Sequence, residues 1–69
     1  KIVIRYARLN YKPKAAGLAE KILEQTGHRS ELVIGKPGQF DVEADGVLLF
    51  SKHKAGRFPE PFEVIERIK

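Results

Sequence analysis

The sequence predicts an α/β domain, an α+β sandwich of order β-α-β-β-β-α with a four-stranded mixed sheet and two helices. Three observations carry this expectation. Ile2, Ile4 and Tyr6 alternate with Val3 and Arg5 in the period-two pattern of a strand, while Ala15, Leu18, Ala19, Ile22 and Leu23 recur at the spacing of one helix face. The third is punctuation: Gly35-Lys36-Pro37-Gly38 and Asp45-Gly46 divide the middle of the chain into three short strand-like runs. At 69 residues the chain has room for one modest core and a single domain.

The first strand spans Lys1 to Tyr6 and is expected to be central, because Val3 is apolar on the other face as well. Pro13 suits the opening turn of the first helix, where its missing N–H has no partner to lose, and Gly27 suits the left-handed position after its end. Gly17 is the anomaly within it. A mid-helix glycine costs about 1 kcal/mol relative to alanine, so either a neighbouring element lies close to the backbone there or the position is suboptimal. The second strand runs from Arg29 to Ile34 around Leu32 and Val33. Phe40, Val42 and Ala44 form the inward face of the third. Asp45-Gly46 tolerates the positive φ angles of a type I′ turn, so Val47 to Ser51 returns as the fourth strand of a hairpin. A loop from Lys52 to Glu60 precedes the last helix, in which Phe62, Ile65 and Ile68 share a side and Glu63 is placed to pair with Arg67. The expected core is Ile2, Ile4, Leu18, Ile22, Leu32, Ile34, Phe40, Val42, Leu49, Ile65 and Ile68. The first two strands must run parallel through a right-handed crossover, with both helices on one face. The other face is expected to carry Val3, Glu31, Val33, Leu48 and Phe50 or their alternates, and Pro37 is expected to be trans.

Composition narrows the chemistry. The absence of cysteine excludes disulfides, thiolate metal sites and any mechanism through a protein thiol. The longest apolar run, Val47-Leu48-Leu49-Phe50, is far short of the roughly 20 residues of a membrane-spanning helix. The start lacks the apolar segment of a signal peptide, which leaves a cytoplasmic location as the default expectation. It also lacks an initiator methionine, so a trimmed start is expected. The balance of 13 basic and 9 acidic residues gives a net charge of +4.

Gly38-Gln39-Phe40-Asp41-Val42-Glu43-Ala44-Asp45-Gly46-Val47-Leu48-Leu49-Phe50-Ser51-Lys52, followed by Gly56-Arg57-Phe58-Pro59-Glu60, resembles the selenoprotein W-like (Rdx) family. The segment Asn10-Tyr11-Lys12-Pro13-Lys14-Ala15 through Leu18-Ala19 resembles the start of that family's first helix. The resemblance covers nearly the whole chain. It implies a thioredoxin-like fold, with a Cys-x-x-Cys or Cys-x-x-selenocysteine pair at the end of the first strand and an oxidoreductase role. This sequence departs from the pattern at that place. Ala7, Arg8, Leu9 and Asn10 occupy the redox-loop positions, the connection is one residue shorter, and neither Ala7 nor Leu9 supplies a nucleophilic sulfur.

No other catalytic constellation replaces it. His28 and His53 are separated by two elements and lack a carboxylate cluster, so no metal site is expected and no cofactor is implied. Ser30 and Ser51 have no evident base, and Glu20, Glu24, Asp41, Glu43 and Asp45 read as solvated acids. Gly35-Lys36-Pro37-Gly38 is too short for a phosphate-binding loop.

Charge placement carries the functional expectation. The first, second and fourth strands end at one edge of the predicted sheet, and the connectors there hold Arg8, Lys12, Lys14, Lys36, Lys52, Lys54 and Arg57 with no acidic residue before Glu60. The N-terminus of the first helix, which favours anions, opens at the same edge. The expectation is a family member without redox cysteines that serves as a binding module, with Arg8, Lys12, Lys36, Lys52, Lys54 and Arg57 contacting an acidic protein or a small anion. The competing readings are an inert solvated rim, a single-stranded nucleic-acid site stacking on Tyr11 and Phe58, although Phe58 reads better as a core plug than as a base stack, and a thiol or selenol oxidoreductase with a catalytic residue omitted near Ala7. Mass spectrometry of the chain separates the last: a mass of 7.8 kDa with no reducible thiol or selenol excludes it, and an added residue mass with a titratable selenol establishes it.

Overall fold

The computed structural model describes residues 1–69. Its elements run β1 (Ile2–Tyr6), α1 (Lys12–Thr26), β2 (Ser30–Ile34), β3 (Phe40–Ala44), β4 (Val47–Ser51), α2 (Lys52–Ala55) and α3 (Pro61–Ile68). The sheet order is β2-β1-β3-β4, with β1 parallel to β2 and antiparallel to β3, and β3 antiparallel to β4. The mixed sheet and central first strand match the sequence expectation. The helix count does not. The stretch expected to be an open loop, Lys52 to Glu60, begins with α2, because the Ser51 hydroxyl accepts a hydrogen bond from the Lys54 N–H and Gly56 closes the turn onto the Lys52 carbonyl.

Local chemistry explains each boundary. Pro13 sits in the first turn of α1, the Gly27 N–H caps the Leu23 carbonyl, and the Thr26 hydroxyl donates to the Ile22 carbonyl at 2.7 Å. Asp45 and Gly46 take φ angles of 50° and 83°, the two positive values a type I′ hairpin needs. Every peptide bond is trans, Pro37 included.

The core lies between one sheet face and the pair α1 and α3. Ile2, Ile4 and Tyr6 of β1 and Phe40 and Val42 of β3 meet Ala15, Leu18 and Ile22 of α1 and Val64 and Ile65 of α3. Ile4, Val42, Ile22 and Val64 are fully buried, and removing each such side chain from water contributes about 1.5–3 kcal/mol.

Several side chains depart from the expected core. Ile34 is 59% exposed, because it ends an edge strand and has a strand partner, Tyr6, on one side alone. Leu32, Leu49 and Ile68 lie half-buried at the margin of the core. In α3 the inward stripe is Val64, Ile65 and Ile68, and Phe62 is 65% exposed. Phe58, arriving from the preceding segment, packs against the core, and α3 turns Val64 inward. Phe50 also changes face. A bulge at Leu49 lets Leu48 pair with Glu43 and Phe50 with Val42, so Phe50 packs against the core and Leu48 stays on the open face.

That open face is charged. Arg5 donates to Glu43 at 2.6 Å across the β1–β3 pair, and the Lys1 ammonium meets Glu31 at 2.8 Å. Solvent screens such exposed pairs, so they orient the open face more than they stabilise the fold.

Gly17 is resolved in favour of a suboptimal position. A Cβ built there meets no neighbouring atom within 4 Å, so close packing is not the reason for the glycine. Gly17→Ala is therefore expected to stabilise the fold by about 1 kcal/mol, read as a higher urea midpoint at unchanged slope.

Candidate functional site

The strand register brings the ends of β1, β2 and β4 to one edge, as the sequence expectation requires. Tyr6 aligns with Ile34 on one side and Phe40 on the other, and Ser51 aligns with Asp41. Three connectors meet at this rim: Ala7 to Tyr11, Gly35 to Gln39, and α2 with the segment behind it.

The first connector is built on a buried root and an exposed tip. Ala7 is buried, and its N–H donates to the Gln39 carbonyl at 2.8 Å, extending the β1–β3 ladder by one step. Arg8, Leu9 and Asn10 then turn outward. Asn10 has a φ of 69°, a left-handed conformation that asparagine tolerates better than most residues, and this lets the chain enter α1 at once. Leu9 is 79% exposed at the tip.

The second connector is fixed from within. The Gly35 N–H donates to the Tyr6 carbonyl, the Lys36 N–H to the Gln39 carboxamide oxygen at 2.8 Å, and the Gln39 carboxamide donates to Asp41 at 2.9 Å. A Cβ on Gly35 would collide with the Gln39 side chain, so the glycine makes room for this brace. Ala7, Arg8, Leu9 and Tyr11 face Gly35, Pro37 and Gly38 across a cleft of about 370 Å³.

Aromatic packing joins the third connector to the other two. Tyr11, Phe40 and Phe58 pack edge to face, with centroids 4.9 Å apart for Tyr11–Phe58 and 5.3 Å for Phe40–Phe58. The Lys52 ammonium lies 5.6 Å from the Tyr11 ring and 5.4 Å from the Phe58 ring, and Lys14 lies 4.8 Å from Phe58 on its own account. Arg8, Lys36 and Lys54 are exposed on the connectors, Lys12 is exposed at the first position of α1, and Lys52 is half-buried. No carboxylate pairs with any of these lysines or with Arg8. The α1 N-terminus adds uncapped N–H groups, since Tyr11 provides no side-chain cap and the first turn carries no acid.

Arg57 behaves differently. Its guanidinium donates two hydrogen bonds of 2.7 Å to the Glu63 carboxylate, one more to the Phe58 carbonyl, and lies over the Phe50 ring. The Glu63–Arg67 pair expected from helical spacing is replaced by this one, because Glu63 turns back toward the helix start and also accepts the Glu60 N–H at 2.8 Å. Sequence reasoning missed Leu9 as an exposed apolar tip and Glu63 as the partner of Arg57. An apolar residue between Arg8 and Asn10 in a turn was the available signal for the first.

The family model described as the Rdx family matches residues 1–69, the whole chain. The chain belongs to the Rdx family. Among solved structures, a Bordetella parapertussis protein is 28% identical with TM-score 0.90, over 97% of this chain and 90% of that one. A selenoprotein W-related protein from Vibrio cholerae is 28% identical with TM-score 0.80, over 97% of this chain and 89% of that one. No curated protein matches. Ala7, Arg8, Leu9 and Asn10 lie in the first connector of this chain, and the chain holds no cysteine.

The Arg57 guanidinium and the Glu60 N–H hold the Glu63 carboxyl at about 2, below its ordinary 4.5. The unfolded chain therefore takes up this proton first as pH falls, so the stabilisation is complete above pH 4.5 and is lost toward pH 2. Thermal unfolding of the wild type against Glu63→Gln checks this: the variant should show a shallower fall of Tm across that window and little further change above it.

Proposed function

We propose that this Rdx-family chain is a redox-inactive docking module whose rim holds an acidic protein segment or a small anion. The reading rests on one observation: Arg8, Lys36, Lys52 and Lys54 on the connectors and Lys12 at the start of α1 lie toward one edge of the sheet without a carboxylate partner. Unpaired cations held together repel one another, and an incoming anion relieves that repulsion while it gains charge-assisted hydrogen bonds. Arg57, already bonded to Glu63, braces the connector beneath them. Beside the charges stand Leu9 and the cleft next to Pro37, which favour a protein segment with an apolar residue flanked by acids.

The aromatic rings favour a protein over a single-stranded nucleic acid. Tyr11 and Phe58 pack against each other and carry the lysine ammoniums, so their faces are not open for base stacking. In the connector where the family resemblance implies a redox pair, this chain turns Ala7 to the core and Arg8 and Leu9 to solvent and supplies no sulfur nucleophile.

Fluorescence anisotropy with labelled polyglutamate tests the reading. The triple variant Lys12→Gln, Lys36→Gln, Lys52→Gln should bind about tenfold or more weakly, whereas Arg29→Gln, at the opposite end of the sheet, should bind as the wild type does. Equal losses in both variants, no binding by the wild type, or tighter binding to oligothymidylate with a steep salt dependence would overturn it.

A further inference from the structure

A second concavity lies beside the rim, between α1 and the segment that leads into α3. Lys14, Gly17 and Lys21 form the helix wall, Pro59 and Pro61 stand opposite, Phe58 lines the rim end, and the volume is about 520 Å³. Pockets for small ligands fall in this range.

Gly17 is the informative residue. Its backbone does not need a positive φ, and a Cβ there meets nothing within 4 Å, so neither conformation nor internal packing requires glycine at a helix position where alanine is the better helix former. What glycine does provide is a bare helix wall facing the groove. On either side of it stand Lys14 and Lys21, two turns apart, roughly 10 Å along the axis at 1.5 Å per residue. The Lys14 ammonium lies 4.8 Å from the Phe58 ring and has no acidic partner, and Lys21 reaches Glu24 at a loose 3.9 Å. Glu60 is the one acid lining the groove, against two cations.

We propose that this groove binds an organic anion with a flat apolar body, of the aryl carboxylate class. The ring lies against Gly17 between the helix and the proline wall, and the carboxylate meets Lys14, with Lys21 available to a second anionic group. The site goes beyond the docking reading and uses none of the cations tested there, so either proposal can fail without the other.

Titration of the full chain with naphthoate, followed by amide NMR shifts, tests it. Saturable shifts should centre on Lys14, Gly17, Lys21 and Phe58. Gly17→Leu, a good helix former that fills the groove, should retain a folded amide spectrum and bind about tenfold more weakly, and Lys14→Gln should lose about fivefold. Gly17→Ala, the stabilising change, provides a second variant and should weaken binding as it raises the urea midpoint. Absent or scattered shifts, undiminished affinity in the Gly17 variants, or equal binding of uncharged naphthalenemethanol would overturn the proposal.

Discussion

The edge-to-face packing of Tyr11, Phe40 and Phe58 is the contact on which the functional end of this molecule depends. Phe40 begins β3 and is 1% exposed, Tyr11 precedes α1, and Phe58 belongs to the segment behind α2. Three stretches distant in sequence are thereby fixed at one place, each pair adding about 0.5–1.5 kcal/mol beyond the area it buries. The same rings receive the ammoniums of Lys14 and Lys52. Loosening the cluster would release the connectors and their charges together, so core packing and surface electrostatics are one structure here.

Where an element was governed by local pattern, the sequence made it legible. The alternation of Ile2, Ile4 and Tyr6, the helical stripe of α1 and the Asp45-Gly46 turn each follow from neighbouring residues, and each appears where the pattern places it. Departures arise where long-range contacts compete. Spacing put Phe62 on one helix side with Ile65 and Ile68, yet it is Phe58 that meets Tyr11 and Phe40. Glu63 had a partner at helical spacing in Arg67, yet the planar guanidinium of Arg57 offers two parallel hydrogen bonds and prevails. Likewise, spacing placed seven cations at one edge, but nothing in spacing distinguished the one already neutralised from those left unpaired.

Gly17 and Arg57 show opposite relations between stability and surface. Arg57 spends its hydrogen bonds inward and steadies the approach to α3. Gly17 relinquishes helix stability and leaves a wall uncovered, a pattern common where a binding surface and an optimal fold make different demands.

The extra residue in β4 has an outcome for the molecule among its own copies. A flat, apolar outer strand offers unpaired amides as a template on which further chains can add. Leu49 interrupts that regular spacing and increases the local twist, so Val47 and Leu48, both exposed, do not form one continuous ledge with Phe50. A single inserted position thus makes the outermost strand a less regular template for a second copy of the chain.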